Sequence, residues 1–375
     1  MRVLVADDAI LFRRLLRDVL VSLPGVEVVG TATNGRIAVE KVRELKPDLL
    51  TLDIEMPEMD GLAVLDELFR KGEPQVEIIA VSALSRRGGD LTMRALEKGA
   101  FDFITKPEAA TPEKGREALL RELAPRVRAA AHRVEVRTIL RGDSRPLRPD
   151  LATPGARPQR AQAGSGLDGV PSRMRRLSLP QRPEMVLIGV STGGPAALAQ
   201  LLPAIPRDIG VPIVIVQHMP PIFTKSLADS LAAKCAVEVR EAAHGELPLP
   251  NTAYIAPGGR QMRLIRGTEN RAVLELTDDP PENNCRPAVD YLFRSAANHF
   301  PGSSMAVILT GMGSDGTIGL KLLKRHGCFV IAQDEASSVV YGMPKAAVDA
   351  GVADVILPLS SIAGRIGAVV KGGLL

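Results

Sequence analysis

Five short apolar runs, separated by amphipathic stretches, restrict how the first third of this chain can fold. The runs are 2–6, 26–30, 48–52, 76–81 and 101–105. Between the first two, apolar residues recur at the spacing of a helix surface. Strands that alternate with helices build a doubly wound parallel sheet, in which ligands bind beyond the carboxyl ends of the strands. We therefore expect an α/β fold whose functional residues directly follow its strands.

Polar residues follow four of these predicted strands. Asp7 and Asp8 end the first strand, Asp53 the third, Ser82 the fourth and Lys106 the fifth. Three carboxylates at one edge repel one another unless a divalent cation binds them, and oxygen ligands of this kind suit Mg²⁺. A hydroxyl and an ammonium group at the same point suit a transferred phosphoryl group. Each residue alone has a simpler interpretation, as a surface lysine or a helix cap, but the full set favours a phosphorylation site.

One segment contains the excess positive charge of the chain, whose net charge is +4. Residues 133–182 contain eleven Arg and no Lys against four acidic residues, and they are rich in Pro, Gly and Ala with no apolar period. Such a composition buries too little apolar surface to offset its ordering entropy. We predict a domain at 1–125, a linker at 126–183 and a second domain at 184–375. A solvated tether is the simpler interpretation of the basic charge, and binding to nucleic acid or anionic lipid is the alternative.

Composition narrows the class of protein further. Aromatic residues make up 3% of the chain and Trp is absent, which disfavours stacking on single-stranded nucleic acid. Neither a signal-like segment nor an apolar run that could span a bilayer occurs, so we expect a cytoplasmic protein without membrane insertion. The cysteines Cys235, Cys285 and Cys328 form no CxxC pattern, and idle thiols are the expectation.

A serine in the second half of the chain stands where a strand breaks into a turn. In IGVSTGGP, Gly189 to Gly193 fit the pattern G-x-S-x-G, which lifts the hydroxyl of Ser191 into the open. A turn of this type also holds phosphate or closes a helix on a sheet, so the motif alone is a weak signal. A nucleophilic serine needs a base, and His218 ends the buried strand PIVIVQ. The other four histidines lie at the edge of the linker, in a polar loop or near helix ends.

A carboxylate after another strand would complete a hydrolytic triad. The segment MAVILTGMGSDG brings Asp315 into the same crevice, where it can orient His218, and the Met312 N–H can donate to an oxyanion. Capping of the following helix is the alternative role for Asp315. The chain order Ser, His, Asp differs from that of the α/β-hydrolases and disfavours a lipase-like fold.

The strand-end motifs of the first half, DD, LDIEMP, VSAL and FITKP, resemble the receiver domain of bacterial response regulators over residues 1–125. This resemblance implies a phospho-acceptor at Asp53, Mg²⁺ ligands at Asp7, Asp8 and Asp53, phosphoryl contacts from Ser82 and Lys106, and an aromatic switch residue at Phe103. It also implies a cis peptide bond between Lys106 and Pro107.

Motifs of the second half are similar, in order and approximate spacing, to the catalytic domain of the CheB family of chemotaxis protein-glutamate methylesterases. They are GVSTGG, QHMP, YIAPGGRQM, RPAVDYLFRSAA, LTGMGSDG and AQDEASSVVYGMP. The resemblance implies the nucleophile Ser191, the base His218, the orienting acid Asp315, the oxyanion amide of Met312, and pocket residues Thr192, Gly193 and Gly194. A receiver followed by this domain is the architecture of that family.

The family resemblance also implies a function and partners. It implies hydrolysis of methyl esters on glutamates of chemoreceptors, deamidation of some glutamines, and activation by phosphorylation. Methyl-accepting chemoreceptor cytoplasmic domains would be the substrates and a CheA-type histidine kinase the phosphodonor, with Mg²⁺ at the receiver, no cofactor for ester hydrolysis, and a monomeric chain. Alternatives from other classes are a non-enzymatic adaptor of a chemosensory array and a regulator that binds nucleic acid through the basic segment, although no helix-turn-helix pattern occurs.

Three residues depart from the family pattern. Ala9 stands where the family often has Ser, and Gln261 and Cys285 stand where it often has His. None of them is a predicted triad member or phospho-acceptor, so we expect their effects on pocket polarity, substrate preference and kinetics.

Overall fold

Two sheets of parallel strands, one in each half of the chain, position every candidate residue. The computed structural model describes residues 1–70, 76–107, 111–141 and 182–372, so most of the expected linker lies outside the described residues. The first half contains β1 (Arg2–Ala6), α1 (Ile10–Val21), β2 (Glu27–Ala32), α2 (Gly35–Leu45), β3 (Leu49–Asp53), α3 (Gly61–Phe69), β4 (Glu77–Ser82), α4 (Arg86–Glu97), β5 (Asp102–Thr105) and α5 (Pro112–Arg141).

The second half repeats the alternation of strand and helix with one inserted hairpin. Its elements are β6 (Met185–Val190), α6 (Gly194–Leu201), β7 (Ile213–Gln217), α7 (Phe223–Ala232), β8 (Glu238–Glu241), β9 (Thr252–Ile255), β10 (Gln261–Arg266), β11 (Ala272–Thr277), α8 (Val289–His299), β12 (Ser304–Ile308), α9 (Thr317–Arg325), β13 (Phe329–Gln333), α10 (Met343–Asp349), β14 (Val355–Leu357) and α11 (Leu359–Val370).

Both sheets consist of parallel strands. The first sheet has the order β2-β1-β3-β4-β5 and the second β14-β13-β12-β6-β7-β9-β8, and all neighbouring strands in both are parallel. The strands β10 and β11 form a separate antiparallel pair. Every residue of β6, β7 and β12 is buried, as expected for parallel strands covered by helices on both faces. The predicted fold class, a (βα)5 receiver followed by a doubly wound, mostly parallel α/β domain, is confirmed.

Helix α5 continues to Arg141, past residue 126, where we predicted the linker to begin. The basic segment lacks the apolar period that would pack a helix against the sheet, and ion pairs attach it instead. Arg133 Nε lies 3.3 Å from the carboxylate of Glu77, and Arg137 contacts the same group. Glu77 is 5% exposed, and a carboxylate this buried requires positive partners. The first nine residues of the basic segment are therefore helical.

The two halves of the molecule pack directly against each other through α4 and α7. Apolar residues of both halves form one continuous core cluster. Ser226 of α7 donates a 2.7 Å hydrogen bond to Asp90 of α4. A Cβ on the neighbouring Gly89 would lie 2.7 Å from the Ser226 hydroxyl, so a glycine at this position allows the close approach. Lys234 extends the contact with an ion pair to Glu97 at 2.6 Å.

None of the described helices combines the length and the apolar character needed to cross a membrane.

Candidate functional site

The three predicted triad residues follow three adjacent strands. Ser191 follows β6, His218 follows β7 and Asp315 lies in the turn after β12, and these strands are neighbours in the order β12-β6-β7. His218 Nε2 donates a 2.8 Å hydrogen bond to Asp315 Oδ2. The expected pairing of the base with its orienting acid is therefore present.

Five donors surround the carboxylate of Asp315. Besides His218, they are the side-chain amide of Asn283 at 2.8 Å and the backbone N–H groups of Val289, Asp290 and Gly316 at 2.7, 3.0 and 3.0 Å. Burial alone would raise the pKa of Asp315, but the hydrogen bond and charge of His218 and the N–H groups of Asp290 and Val289 lower it to about 2. Asp315 is thus a fixed anion in the physiological pH range. The alternative that it caps the next helix is not supported, because α9 begins without a side-chain cap.

His218 has a second partner that the sequence analysis did not predict. Its Nδ1 lies 3.5 Å from Cys285 Sγ. Burial alone would lower the pKa of His218, but the hydrogen bonds and charges of Asp315 and Cys285 raise it to about 9. Because the Asp315 carboxylate only accepts hydrogen bonds, Nε2 carries a proton, and Nδ1 is the atom that must act as the base.

Ser191 is half-buried and sits in a tight turn between β6 and α6. Its N–H donates to Thr310 and its carbonyl accepts a 2.7 Å bond from Gly194, the first residue of α6. Gly193 has φ +76°, a conformation that favours glycine, and a Cβ there would lie 2.4 Å from Val339. Among the described residues, the Ser191 hydroxyl makes no hydrogen bond, so it is not yet paired with His218.

Two backbone N–H groups of the loops after β6 and β12 have no hydrogen-bond partner among the described residues. Within the described ranges, neither Met312 nor Thr192 donates its N–H to another group, whereas the neighbouring Gly311 N–H bonds to Val340. Unpaired N–H groups beside a nucleophile are what an oxyanion requires.

Two residues that hold the triad were missed by sequence reasoning. The amide of Gln217, the last residue of β7, donates to the carbonyls of Ser191 and His218 at 3.0 and 3.1 Å. Asn283 donates both to Asp315 and, at 3.0 Å, to the buried Asp290. The only sequence signal for Gln217 is a polar residue inside an apolar strand, and Asn283 lies in a loop with no periodic pattern.

The departures from the family pattern have structural explanations in the catalytic half. Gln261 is fully buried and bonds to the carbonyls of Pro280 and Cys285 and to the N–H of Ala288. It therefore fixes the loop that carries Cys285 and Asn283 instead of lining the pocket. We find no structural consequence of Ala9, the residue that precedes α1 without a side-chain cap bond.

The predicted phosphorylation site is also assembled at strand ends. Ligand atoms of Asp7, Asp8 and Asp53 lie within 4.8 Å of one another. Lys106 Nζ lies 2.7 Å from Asp53 and 3.0 Å from Asp7. Burial raises the pKa of Asp53 to about 6, and Asp7 adds to this effect while Lys106 opposes it.

These carboxylates fit a divalent cation. Asp7 is fully buried, and its Oδ2 has an ion pair with Lys106 but no hydrogen bond of good geometry. A buried carboxylate oxygen in this condition, beside two further carboxylates, suits a hard cation such as Mg²⁺.

Ser82 is 2% exposed and donates to the carbonyl of Gly88 at 3.0 Å. The bond between Lys106 and Pro107 is not cis, contrary to the implied isomer, and follows the usual preference of X–Pro bonds for the trans form.

Receiver residues contact the surroundings of Ser191. The ring of Phe103 stacks on Phe223 of α7 with centroids 4.8 Å apart. Burial raises the pKa of Asp102, and the hydroxyl of Thr192, the residue after Ser191, is close enough to oppose this rise. Met312 also packs against the apolar cluster of the first half.

The fold and both sites define a response regulator whose output domain is a hydrolase-like α/β domain with a Ser–His–Asp set. The receiver-domain family model matches residues 3–119, and the CheB methylesterase model matches residues 186–366. A protein-glutamate methylesterase/protein-glutamine glutaminase of Desulfotalea psychrophila is 48% identical over 374 residues, covering 99% of both chains. A protein of the same name from Trichodesmium erythraeum is 41% identical, covering 97% of both chains. The chain belongs to the CheB methylesterase family.

A solved structure is similar to the second half of the chain. The crystal structure of the Thermotoga maritima CheB methylesterase catalytic domain is 42% identical in sequence, covers 50% of this chain and 98% of its own, and has a TM-score of 0.49.

Proposed function

We propose that this protein is a phosphorylation-activated serine esterase that hydrolyses glutamate methyl esters on chemoreceptors and deamidates some of their glutamines. The observation that carries the proposal is the hydrogen-bonded pair of His218 and Asp315, which together with Ser191 follow three adjacent strands. This set is the chemistry that acyl transfer from an ester or amide requires.

The reaction begins when Ser191 Oγ attacks the ester carbonyl and His218 Nδ1 takes its proton. Asp315 holds the imidazole by Nε2 and stabilises the imidazolium that forms. The free N–H of Met312 donates to the oxyanion. Methanol leaves with the proton from His218, and a water molecule then repeats the sequence to release the carboxylate. A neutral ester thereby becomes a charged glutamate, and this change in charge is the signal.

Before this step His218 must lose a proton and come within hydrogen-bond distance of Ser191. Its pKa of about 9 keeps the imidazole protonated at neutral pH, and no hydrogen bond joins it to Ser191 among the described residues. We infer a resting form of the enzyme, in which binding of substrate or movement of the receiver has to bring the two residues together.

The receiver supplies the control. Asp53 accepts a phosphoryl group from a CheA-type histidine kinase, with Asp7, Asp8 and Asp53 as Mg²⁺ ligands and with Lys106 and Ser82 as phosphoryl contacts. A bound Mg²⁺ would neutralise charge between the carboxylates and the incoming phosphoryl group. Asp53 is then withdrawn from Lys106, its 2.7 Å partner in the unphosphorylated form.

The receiver domain links the two sites by occluding the crevice next to Ser191. Receiver residues reach Thr192 and Met312, which flank the crevice, and Phe103 lies at the same interface. Phosphorylation that repositions Phe103 would weaken the contact with α7. Raising an open population from about 1% to about 50% takes about 2.7 kcal/mol, which a few interface contacts supply.

The test is methanol release from methylated receptor cytoplasmic fragments, the substrates we infer for this cytoplasmic enzyme. Wild type and Ser191→Ala are compared, each with and without a small-molecule phosphodonor and Mg²⁺. We expect release that requires Ser191 and rises with the phosphodonor. Absence of release in every condition would favour the adaptor function, and labelling of Ser191 by a fluorophosphonate probe would then decide whether the serine is reactive.

A further inference from the structure

Cys285 is placed by a loop that serves the triad. The loop of residues 278–288 carries Asn283, which bonds Asp315, and two positions later Cys285, which contacts His218. A short antiparallel bridge between Glu282 and Cys285 closes this loop, and Arg294 of α8 holds Glu282 through two 2.7 Å hydrogen bonds. The thiol is therefore held in position against the imidazole by several independent contacts.

The contact of Cys285 with His218, which Asp315 in turn orients, has the chemistry of an activated thiol. Nδ1 of His218 faces the sulfur at 3.5 Å, and Asp315 fixes the opposite nitrogen. Among the described residues, His218 is the group hydrogen-bonded to this sulfur, so the imidazole can hold the proton while the sulfur attacks an electrophile. Cys285 is only partly buried with the receiver in place, so a small reagent can reach it.

The other two cysteines lack these features and serve as internal references. Burial raises the pKa of Cys235 to about 11, and no base is hydrogen-bonded to it within the described part of the chain. Cys328 is 2% exposed, and its contact is the hydroxyl of Ser304 at 3.6 Å. Both thiols have the environment of inert cysteines.

We propose that Cys285 is a modification site at which a hydroperoxide oxidises the thiol, with His218 as the base, and thereby switches off the reaction of Ser191. With the proton of the Cys285–His218 contact on Nδ1, the sulfur attacks one peroxide oxygen, the O–O bond breaks and an S–O bond forms. The departing oxygen takes the proton from His218 and leaves as water or an alcohol. Sulfur loses two electrons and the peroxide gains two, which gives a sulfenic acid.

The added oxygen explains the loss of esterase activity. It lies between the sulfur and Nδ1, the atom that must take the proton of Ser191. Reduction by an added thiol returns the cysteine and releases Nδ1, so the inactivation is reversible. Only this effect on activity rests on the proposed function; the reactivity of the thiol does not.

The first experiment measures thiol reactivity in the full-length protein. Limited treatment with iodoacetamide is followed by peptide mass spectrometry of all three cysteines. We expect Cys285 to be alkylated at least about tenfold faster than Cys235, and His218→Gln to remove this advantage while Ser191→Ala keeps it. Equal rates for Cys285 and Cys235, or no effect of His218→Gln, would overturn the proposal.

The second experiment measures methanol release after treatment with hydrogen peroxide. We expect the wild type to lose activity and to regain it with dithiothreitol, and Cys285→Ser to keep its own untreated activity, with Cys235→Ser as the matched control that behaves like wild type. Equal inactivation of wild type and Cys285→Ser would overturn the switch. A protein with no activity before treatment but with fast, His218-dependent alkylation would instead contradict the proposed esterase function.

Discussion

Asp53 in the first half and Asp315 in the second occupy comparable places, yet their environments differ. Both are less than 5% exposed, lie at the carboxyl ends of parallel strands and contact a positive side chain. Asp315 accepts hydrogen bonds from five donors, and its pKa falls to about 2. Asp53 has Lys106 and one N–H group against the charge of Asp7, and its pKa rises to about 6.

The difference teaches what each carboxylate is built to do. A carboxylate with every lone pair occupied is an unreactive fixed charge, and such a charge orients an imidazole well. A carboxylate with too few donors is held at an energetic cost, which a cation or a covalent phosphoryl group relieves. The same residue type is therefore a positioning group in one sheet and a reactive group in the other.

Replacing each aspartate by asparagine tests this contrast, and Asp315→Asn should have the largest effect on the rate of all the changes considered. Asp315→Asn removes the fixed charge and the preference for one imidazole tautomer, and we expect the rate of methanol release to fall about 10⁴-fold. Asp53→Asn should keep the basal rate and lose only the increase with phosphodonor. A fall of less than about tenfold for Asp315→Asn would show that His218 does not depend on this charge.

A charge reversal at the domain interface tests whether the two regions communicate through α4 and α7. Glu97→Lys removes the ion pair with Lys234 and places two ammonium groups together. A shift of about 1 kcal/mol toward the open form would raise basal methanol release about fivefold without phosphodonor. Adding Lys234→Glu restores an ion pair and should restore the low basal rate. Unchanged activity in Glu97→Lys would contradict occlusion by this interface.

The pH dependence of the esterase tests the environment of His218. Only the neutral imidazole accepts the proton of Ser191, so kcat/KM should rise about tenfold per pH unit below its pKa and level off above about 9. Cys285→Ala removes one of the contacts that raise this pKa, and the midpoint of the profile should move to lower pH. A midpoint that stays in place would mean that Asp315 alone sets the pKa.

The same pKa predicts that the stability of the folded protein falls with rising pH, whereas the esterase activity rises. A histidine whose pKa is raised by folding from its ordinary value of 6.5 to about 9 stabilises the folded state fully below the lower value. This contribution, about 3 kcal/mol, is lost as the pH rises through about 9. Urea unfolding should show the loss in wild type and not in His218→Gln.

Sequence reasoning found the residues whose position depends on local pattern. An apolar run followed by a turn marks a strand end, and parallel strands bring their ends together, so Asp53, Ser191, His218 and Asp315 were predicted from the chain alone. Their partners were not, because Asn283 and Cys285 reach the triad from a loop without periodicity. The extension of α5 to Arg141 depends on ion pairs with the distant Glu77, which no local pattern reports.

The packing of the two domains depends on contacts between residues far apart in the sequence. The ring of Phe103 was assigned a switch role by resemblance, but its stacking partner Phe223 follows 120 positions later. Ser226 and Asp90 are similarly distant. The pattern of each segment indicates only its own helix or strand, so it contains no information about the interface.

The smallest expected effect concerns protons at the phosphorylation site. Because the pKa of Asp53 is about 6, a fraction of the molecules carries a proton there that a divalent cation must displace. Mg²⁺ binding at pH 6 should release about half a proton per site, and almost none at pH 8, as measured by calorimetry in two buffers of different ionisation enthalpy. Lys106→Ala removes the group that opposes the rise in pKa, so proton release should persist to higher pH. Absence of release at pH 6 would mean that Asp53 is already ionised, and the contrast with Asp315 would then lie in geometry and not in charge.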